Sequence, residues 1–194
     1  MKPDFEKAQN AATNLLLQQN IDSLFIDVRN FTLPDSIHID TMQNFCKLTN
    51  YPISSLDNGA IDGACLLRKG PHRIILYDEG IPNEQRKHWG IAHELGHAVL
   101  GHVDDNKEAE IEAHFFAAQL IAPEIVLLEI CKRQGRLSDH DLFSHFNLSY
   151  EAAAKRIQTL RHRYCYNYGA MDKQLLEKFS PILDRETSIG RWVS

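Results

Sequence analysis

The chain has 194 residues, is 43% hydrophobic and 24% charged, and carries a formal net charge of −5 at pH 7. That length suits one compact domain, or one domain with a small helical appendage, and the composition is that of an ordinary soluble globular protein. The acidic balance argues against nucleic acid as the main partner, no apolar run reaches the length of a membrane span, and Met1-Lys2-Pro3-Asp4-Phe5 does not open a signal peptide, so the expected location is the cytoplasm.

Residues 4–19 predict a helix, with Phe5, Ala8, Ala12, Leu15 and Leu16 on one stripe. Short apolar runs follow around Pro34, at Phe25-Ile26-Asp27-Val28 and Ile37-His38-Ile39, and residues 41–49 fit either helix or strand. Residues 61–67 and 73–77 flank Arg68-Lys69-Gly70-Pro71-His72, a β-hairpin pattern with a Gly-Pro turn. A helix is predicted over 85–100, stopped by Gly101. Another runs over 108–122, with Ile111, Phe115, Ala118, Leu120 and Ile121 as its apolar positions, and ends before Pro123. Pro123 opens a helix over 124–134 that Gly135 ends, and Ser138 caps a short helix through Phe146. Asn147-Leu148-Ser149 caps a helix over 150–166, residues 172–179 form a weak amphipathic helix, and residues 180–194 read as irregular. The expected fold is therefore α+β and mainly helical: a domain over 1–135 with a small sheet before the helix at 85–100, and a helical segment over 136–194 packed on it. Cys46, Cys65, Cys131 and Cys165 show no CxxC pairing, which excludes a zinc ribbon and leaves reduced thiols as the expectation.

The chemistry concentrates in the helix at 85–100, which carries His93-Glu94-Leu95-Gly96-His97, the H-E-x-x-H pattern of zinc hydrolases. Residues four apart share a helix face, so His93 and His97 can direct both imidazoles at one ion. Glu94 lies about 100° round the helix. It should miss the ion and act as general base on a water activated there. A catalytic zinc usually takes three protein ligands. The spacing H-E-x-x-H-x-x-G-x-x-H fails, because it needs Gly at Leu100 and His at Val103; His102 falls one residue early and is a neighbour of the site at most. A carboxylate from the next helix is the better source. Glu108, Glu110 and Glu112 are all available, and Glu112, beside the apolar stripe, is the preferred third ligand, with Glu108 and Glu110 facing water.

Two segments carry a resemblance. Trp89 to His102, with Ala92-His93-Glu94-Leu95-Gly96-His97, and the later Glu112, Ala113, Phe116, Ala117, Ala118, Leu120 and Pro123 resemble the ImmA/IrrE family of zinc metallopeptidases. The likeness spans roughly residues 50 to 165. Trp89-Gly90 and His114 depart from the family's usual residues without touching the ligand set. The resemblance implies a gluzincin-like fold, one Zn2+ per chain on His93, His97 and Glu112, and a cytoplasmic endopeptidase. It also implies a protein substrate, a helix-turn-helix repressor of a mobile element, prophage or stress response.

A tetrahedral oxyanion needs a donor besides the metal, and His72, Tyr77, His88, His102 and His114 are candidates by type. The strand at 73–77, if it is a sheet edge, would align an extended peptide. Two rivals stand beside the peptidase. Residues 146–163, locally basic through Lys155, Arg156, Arg161 and Arg163, resemble half of a helix-turn-helix, as in a regulatory DNA- or protein-binding module. The other is a retained but non-proteolytic zinc site, closed by a fourth protein ligand such as His102 or a cysteine.

Overall fold

The computed structural model describes residues 2–56, 63–104, 106–162 and 168–188. These residues hold eight α-helices and one three-stranded sheet, the mainly helical α+β architecture expected. No single helix among them is long and apolar enough to cross a membrane. The chain divides into two compact units, Met1–Ala8 with Asp27–Ala117, and Gln9–Ile26 with Ala118–Ser194. The division runs inside the helices Phe5–Gln18 (α1) and Lys107–Ile121, whereas the sequence reading set its boundary after residue 135.

The first unit is built on strands Ile37–Thr41 (β1), Ala64–Lys69 (β2) and His72–Tyr77 (β3). β2 and β3 form the expected hairpin, antiparallel with Leu67 opposite Ile74, and the left-handed Gly70 (φ +59°) makes the turn. Ile61 and Asp62, expected in the first strand, lie outside the described residues. β1 adds to β3 in parallel, Ile39 opposite Ile75. β3 is therefore the middle strand, and the expectation that it could serve as a sheet edge is corrected: both its sides are spent on β1 and β2. Phe25 to Val28 forms no strand; Asp27 instead caps a single 3-10 turn at Val28–Asn30. The ambiguous residues 41–49 form the helix Met42–Thr49 (α2), with the Thr41 side chain accepting from the Asn44 N–H.

Strand alternation sorts the core. Cys65 and Leu76 join Met42 and Leu56 in one buried cluster, with Phe45 and Leu67 against it. Ile75, one residue along, is fully buried and points the other way, toward the helix Glu84–Leu100 (α3), which lies across β2 and β3. Asn83 caps α3 by accepting from the Arg86 N–H. Twelve of its residues are buried, including Lys87, His88, His93, Glu94 and His97, so this helix is enclosed on nearly all sides.

The second unit contains the helices Glu124–Gln134 (α5), Asp139–Phe146 (α6), Tyr150–His162 (α7) and Ala170–Ser188 (α8), with the Lys107–Ile121 helix (α4) ending in it. Ser138 and Asp141 form a reciprocal capping box on α6. Arg156 of α7 is buried and donates to the Ala122 carbonyl from Nε (3.1 Å) and Nη2 (2.7 Å), and from Nη2 to Gln119 Oε1 (2.9 Å). It satisfies carbonyls at the C-terminus of α4. Lys155 pairs with Glu151 on its own helix. Two of the four cations behind the helix-turn-helix reading are thus engaged within the unit; the Arg161 side chain and Arg163 fall outside what is described. Helix α8 passes through Pro181, where an irregular tail was expected. Leu175, Phe179, Ile182, Leu183 and Glu186 are all buried, so one stripe continues across the proline and offsets its missing N–H.

Candidate metal centre

His93 and His97 lie four residues apart on α3, and their Nε2 atoms face each other at 3.1 Å. Both rings are buried. Glu110, in the first turn of α4, straddles the pair: Oε2 is 3.3 Å from His93 Nε2 and Oε1 is 3.4 Å from His97 Nε2. An ion about 2.0–2.1 Å from imidazole nitrogens and about 2.0–2.2 Å from a carboxylate oxygen, in tetrahedral geometry, sets its ligands about 3.3–3.4 Å apart. The imidazole pair is close to one edge of such a tetrahedron, and each imidazole nitrogen has one oxygen of the Glu110 carboxylate at the same kind of distance. Two imidazoles and a carboxylate are donors suited to Zn2+, and three protein ligands leave the fourth corner open.

His114 also approaches. It follows Glu110 by one helical turn, its ring centroid is 4.5 Å from that of His93, and ligand atoms of His93, Glu110 and His114 lie within 4.8 Å of one another. Its own side chain is exposed. His97, on the same helix face as His93, has its Nε2 3.1 Å from that of His93 and 3.4 Å from a Glu110 oxygen, and the exposed His114 stands beside the group. Glu94 is buried, one residue after His93 on the same helix.

The structure brings Glu110 to the imidazole pair and sets Glu112 elsewhere. Glu112 Oε2 lies 3.1 Å from His102 Nε2, and its Oε1 accepts from the Asp4 N–H at 2.8 Å. The cause is the close crossing of α3 and α4 at Gly96. A Cβ placed there would meet Ala113 Cα and O and Phe116 Cδ1, each at 3.1 Å. Only glycine lets the helices approach so far, and the contact fixes the phase of α4 with Ala113 toward α3. Residues three before and four after share that face, which places Glu110 and Ala117 on it. Glu112 is one residue off, rotated by about 100°. The buried residues of α4 are accordingly Ala109, Ala113, Phe116, Ala117, Gln119, Leu120 and Ile121; of the expected apolar positions Leu120 and Ile121 are buried, whereas Ile111, Phe115 and Ala118 are only half-buried. The glycine inside H-E-L-G-H was the signal available: a residue without a side chain, one position before a ligand, marks where a neighbour comes close.

His102 reaches the site through the helix stop. Gly101 is left-handed (φ +74°), and the His102 N–H bonds back to the His97 carbonyl at 3.0 Å. The His102 ring is thereby folded against His97, with Nδ1 facing Nδ1 at 3.1 Å. The end of α3 is closed further by Lys7, whose Nζ donates to the Leu100 carbonyl at 2.9 Å. Of the five candidate oxyanion donors, His102 and His114 lie at the imidazole pair. His72 stacks on His38 at the start of β3. Burial raises the Tyr77 hydroxyl above its ordinary value, and His88 is buried one turn before Ala92 on α3.

Comparison with known sequences yields one match. The sequence model of a peptidase family, described as the IrrE N-terminal-like domain, matches residues 50–158, more than half of the chain. No curated protein and no solved structure matches it.

Proposed function

The chain belongs to the peptidase family of IrrE N-terminal-like domains, and on that premise we propose that it is a zinc-dependent endopeptidase. In this reading His93, His97 and Glu110 hold one Zn2+ per chain and Glu94 is the general base. The observation that carries it is the His93 and His97 Nε2 pair at 3.1 Å with the Glu110 carboxylate straddling it, one oxygen 3.3 Å from His93 and the other 3.4 Å from His97. When bound there, Zn2+ would polarise a carbonyl and lower the pKa of a water to about 7.

The rest falls to side chains. Glu94 takes a proton from the attacking water as the new C–O bond forms at the scissile carbonyl. It returns that proton to the amide nitrogen as the C–N bond breaks, releasing a carboxylate and an amine. In this reading His114, exposed beside His93, would offer an N–H to the carbonyl oxygen as it gains charge. An extended substrate would pair with the outer side of β2, since β3 is enclosed between two strands.

The substrate we propose is a helix-turn-helix repressor of a mobile element, prophage or stress response, cleaved in the cytoplasm. Support comes from the resemblance of the two helices to ImmA/IrrE peptidases. The zinc-loaded chain, incubated with the repressor encoded beside it, should yield fragments that Glu94→Gln does not. Equal fragmentation by both proteins would remove the mechanism.

A further inference from the structure

A line of polar contacts leads away from the imidazole pair on the side opposite the Nε2 atoms. His97 Nδ1 faces His102 Nδ1 at 3.1 Å, His102 Nε2 faces Glu112 Oε2 at 3.1 Å, and Glu112 Oε1 accepts from the Asp4 N–H at 2.8 Å. His97 is buried and the His102 and Glu112 side chains are only 9% and 13% exposed, so water does not readily replace these partners. We propose that Glu112, acting through His102, is a positioning residue that fixes the tautomer and ring plane of His97. This rests on the reading of His97 as a metal ligand.

The proton placement follows from valence. Coordination through Nε2 uses that lone pair, so the His97 proton sits on Nδ1 and must be donated. Its partner at 3.1 Å, His102 Nδ1, must then be an acceptor, which puts the His102 proton on Nε2. That proton points at Glu112, which as a carboxylate can only accept. Its second oxygen is already occupied by a backbone N–H that can only donate. Each group therefore has a single role, and the order of donors admits no reversal. A glutamine at 112 breaks it: one end of the amide accepts, but the other presents N–H either to the Asp4 N–H or to His102 Nε2–H. Outer-shell partners of this kind change metal affinity by about 10- to 100-fold when removed.

The test compares wild type, Glu110→Gln, Glu112→Gln and His102→Phe at one pH. Zinc affinity is read by competition with a chelating indicator and folding by circular dichroism. Imidazole protonation in the zinc-loaded chain is read from long-range 1H–15N spectra. Wild type should bind one zinc, with His97 protonated at Nδ1 and His102 at Nε2. Glu112→Gln and His102→Phe should still fold and bind one zinc about 10- to 100-fold more weakly. The single His102 tautomer should be lost in Glu112→Gln, a change that a purely structural ion pair would not produce. Glu110→Gln should lose far more affinity. Wild-type affinity in both relay variants overturns the relay and leaves the ligand reading standing. Zinc lost in Glu112→Gln but kept in Glu110→Gln overturns the relay and hands the third ligand position to Glu112. Absence of zinc from wild type overturns the metal reading, and the relay with it. If Glu112→Gln does not fold, His102→Phe decides on the same scale.

Discussion

Replacing Gly96 by alanine should separate the stability of the fold from the integrity of the metal centre. The added Cβ would sit 3.1 Å from Ala113 Cα, Ala113 O and Phe116 Cδ1. Carbon atoms prefer about 3.5–4.0 Å, and carbon and oxygen slightly less, so α4 has to retreat by a few tenths of an ångström. Two of the three obstructing atoms are backbone, which cannot rotate aside. Overpacking of this kind costs about 1–3 kcal/mol, while alanine improves helix propensity by about 1 kcal/mol. The net loss of fold stability should be about 0–2 kcal/mol. The retreat carries Glu110 with it, away from two imidazoles that remain on α3. A loss of about 1.4 kcal/mol in binding is a tenfold loss of affinity, and a misfit of a few tenths of an ångström in one ligand should reach about that. Urea melts in EDTA give the first quantity and zinc competition gives the second. A Gly96→Ala protein that keeps wild-type zinc affinity would refute the claim that this crossing sets the ligand geometry.

Two further outcomes are expected. Arg156→Met removes the donors that satisfy the Ala122 carbonyl and Gln119 Oε1 inside the second unit, and should cost about 3 kcal/mol, a fall in Tm of roughly 6–12 °C, with zinc affinity unchanged; a melting curve that does not move would show those bonds to be dispensable. Burial pushes the Asp27 carboxyl up, but hydrogen bonds from the Arg29 side chain and N–H outweigh it and hold the group below its ordinary value. A depressed carboxyl contributes stability that is present above the unfolded value and lost as pH falls through the folded one, so Asp27→Asn should flatten the loss of stability below about pH 4; urea melts with the same slope against pH as wild type would contradict this.

Most helices were legible because their ends are marked by chemistry that acts locally. Ser138 caps, while Gly101 and Gly135 turn left-handed just after the last helical residue. The hairpin was legible for the same reason, at Gly70. What failed depended on partners distant in sequence. Ile37 to Thr41 is a strand because β3 lies beside it, 36 residues away in register, and nothing within five residues signals that pairing. Pro181 stops a helix on local grounds and is overridden by a buried stripe that the tertiary fold continues. The phase of α4 misled for a more instructive reason. Hydrophobic patterns weight bulk, so Ile111 and Phe115 looked like the core face, yet Phe115 sits half-buried with its ring 5.0 Å from that of Phe5. The closest approach to α3 is made by Ala113, against the bare Gly96, because close approach selects small residues. The pairing of His93 and His97 needed only the helical period; the carboxylate beside them needed the crossing.

The contact between the Asp4 N–H and Glu112 has a practical corollary. A purification tag fused ahead of these residues, if it draws Asp4 aside, would strip the last donor from the file behind His97 and yield well-folded preparations deficient in zinc. Batches released from such a tag by proteolysis should recover full occupancy on dialysis against the metal, and those still carrying it should not.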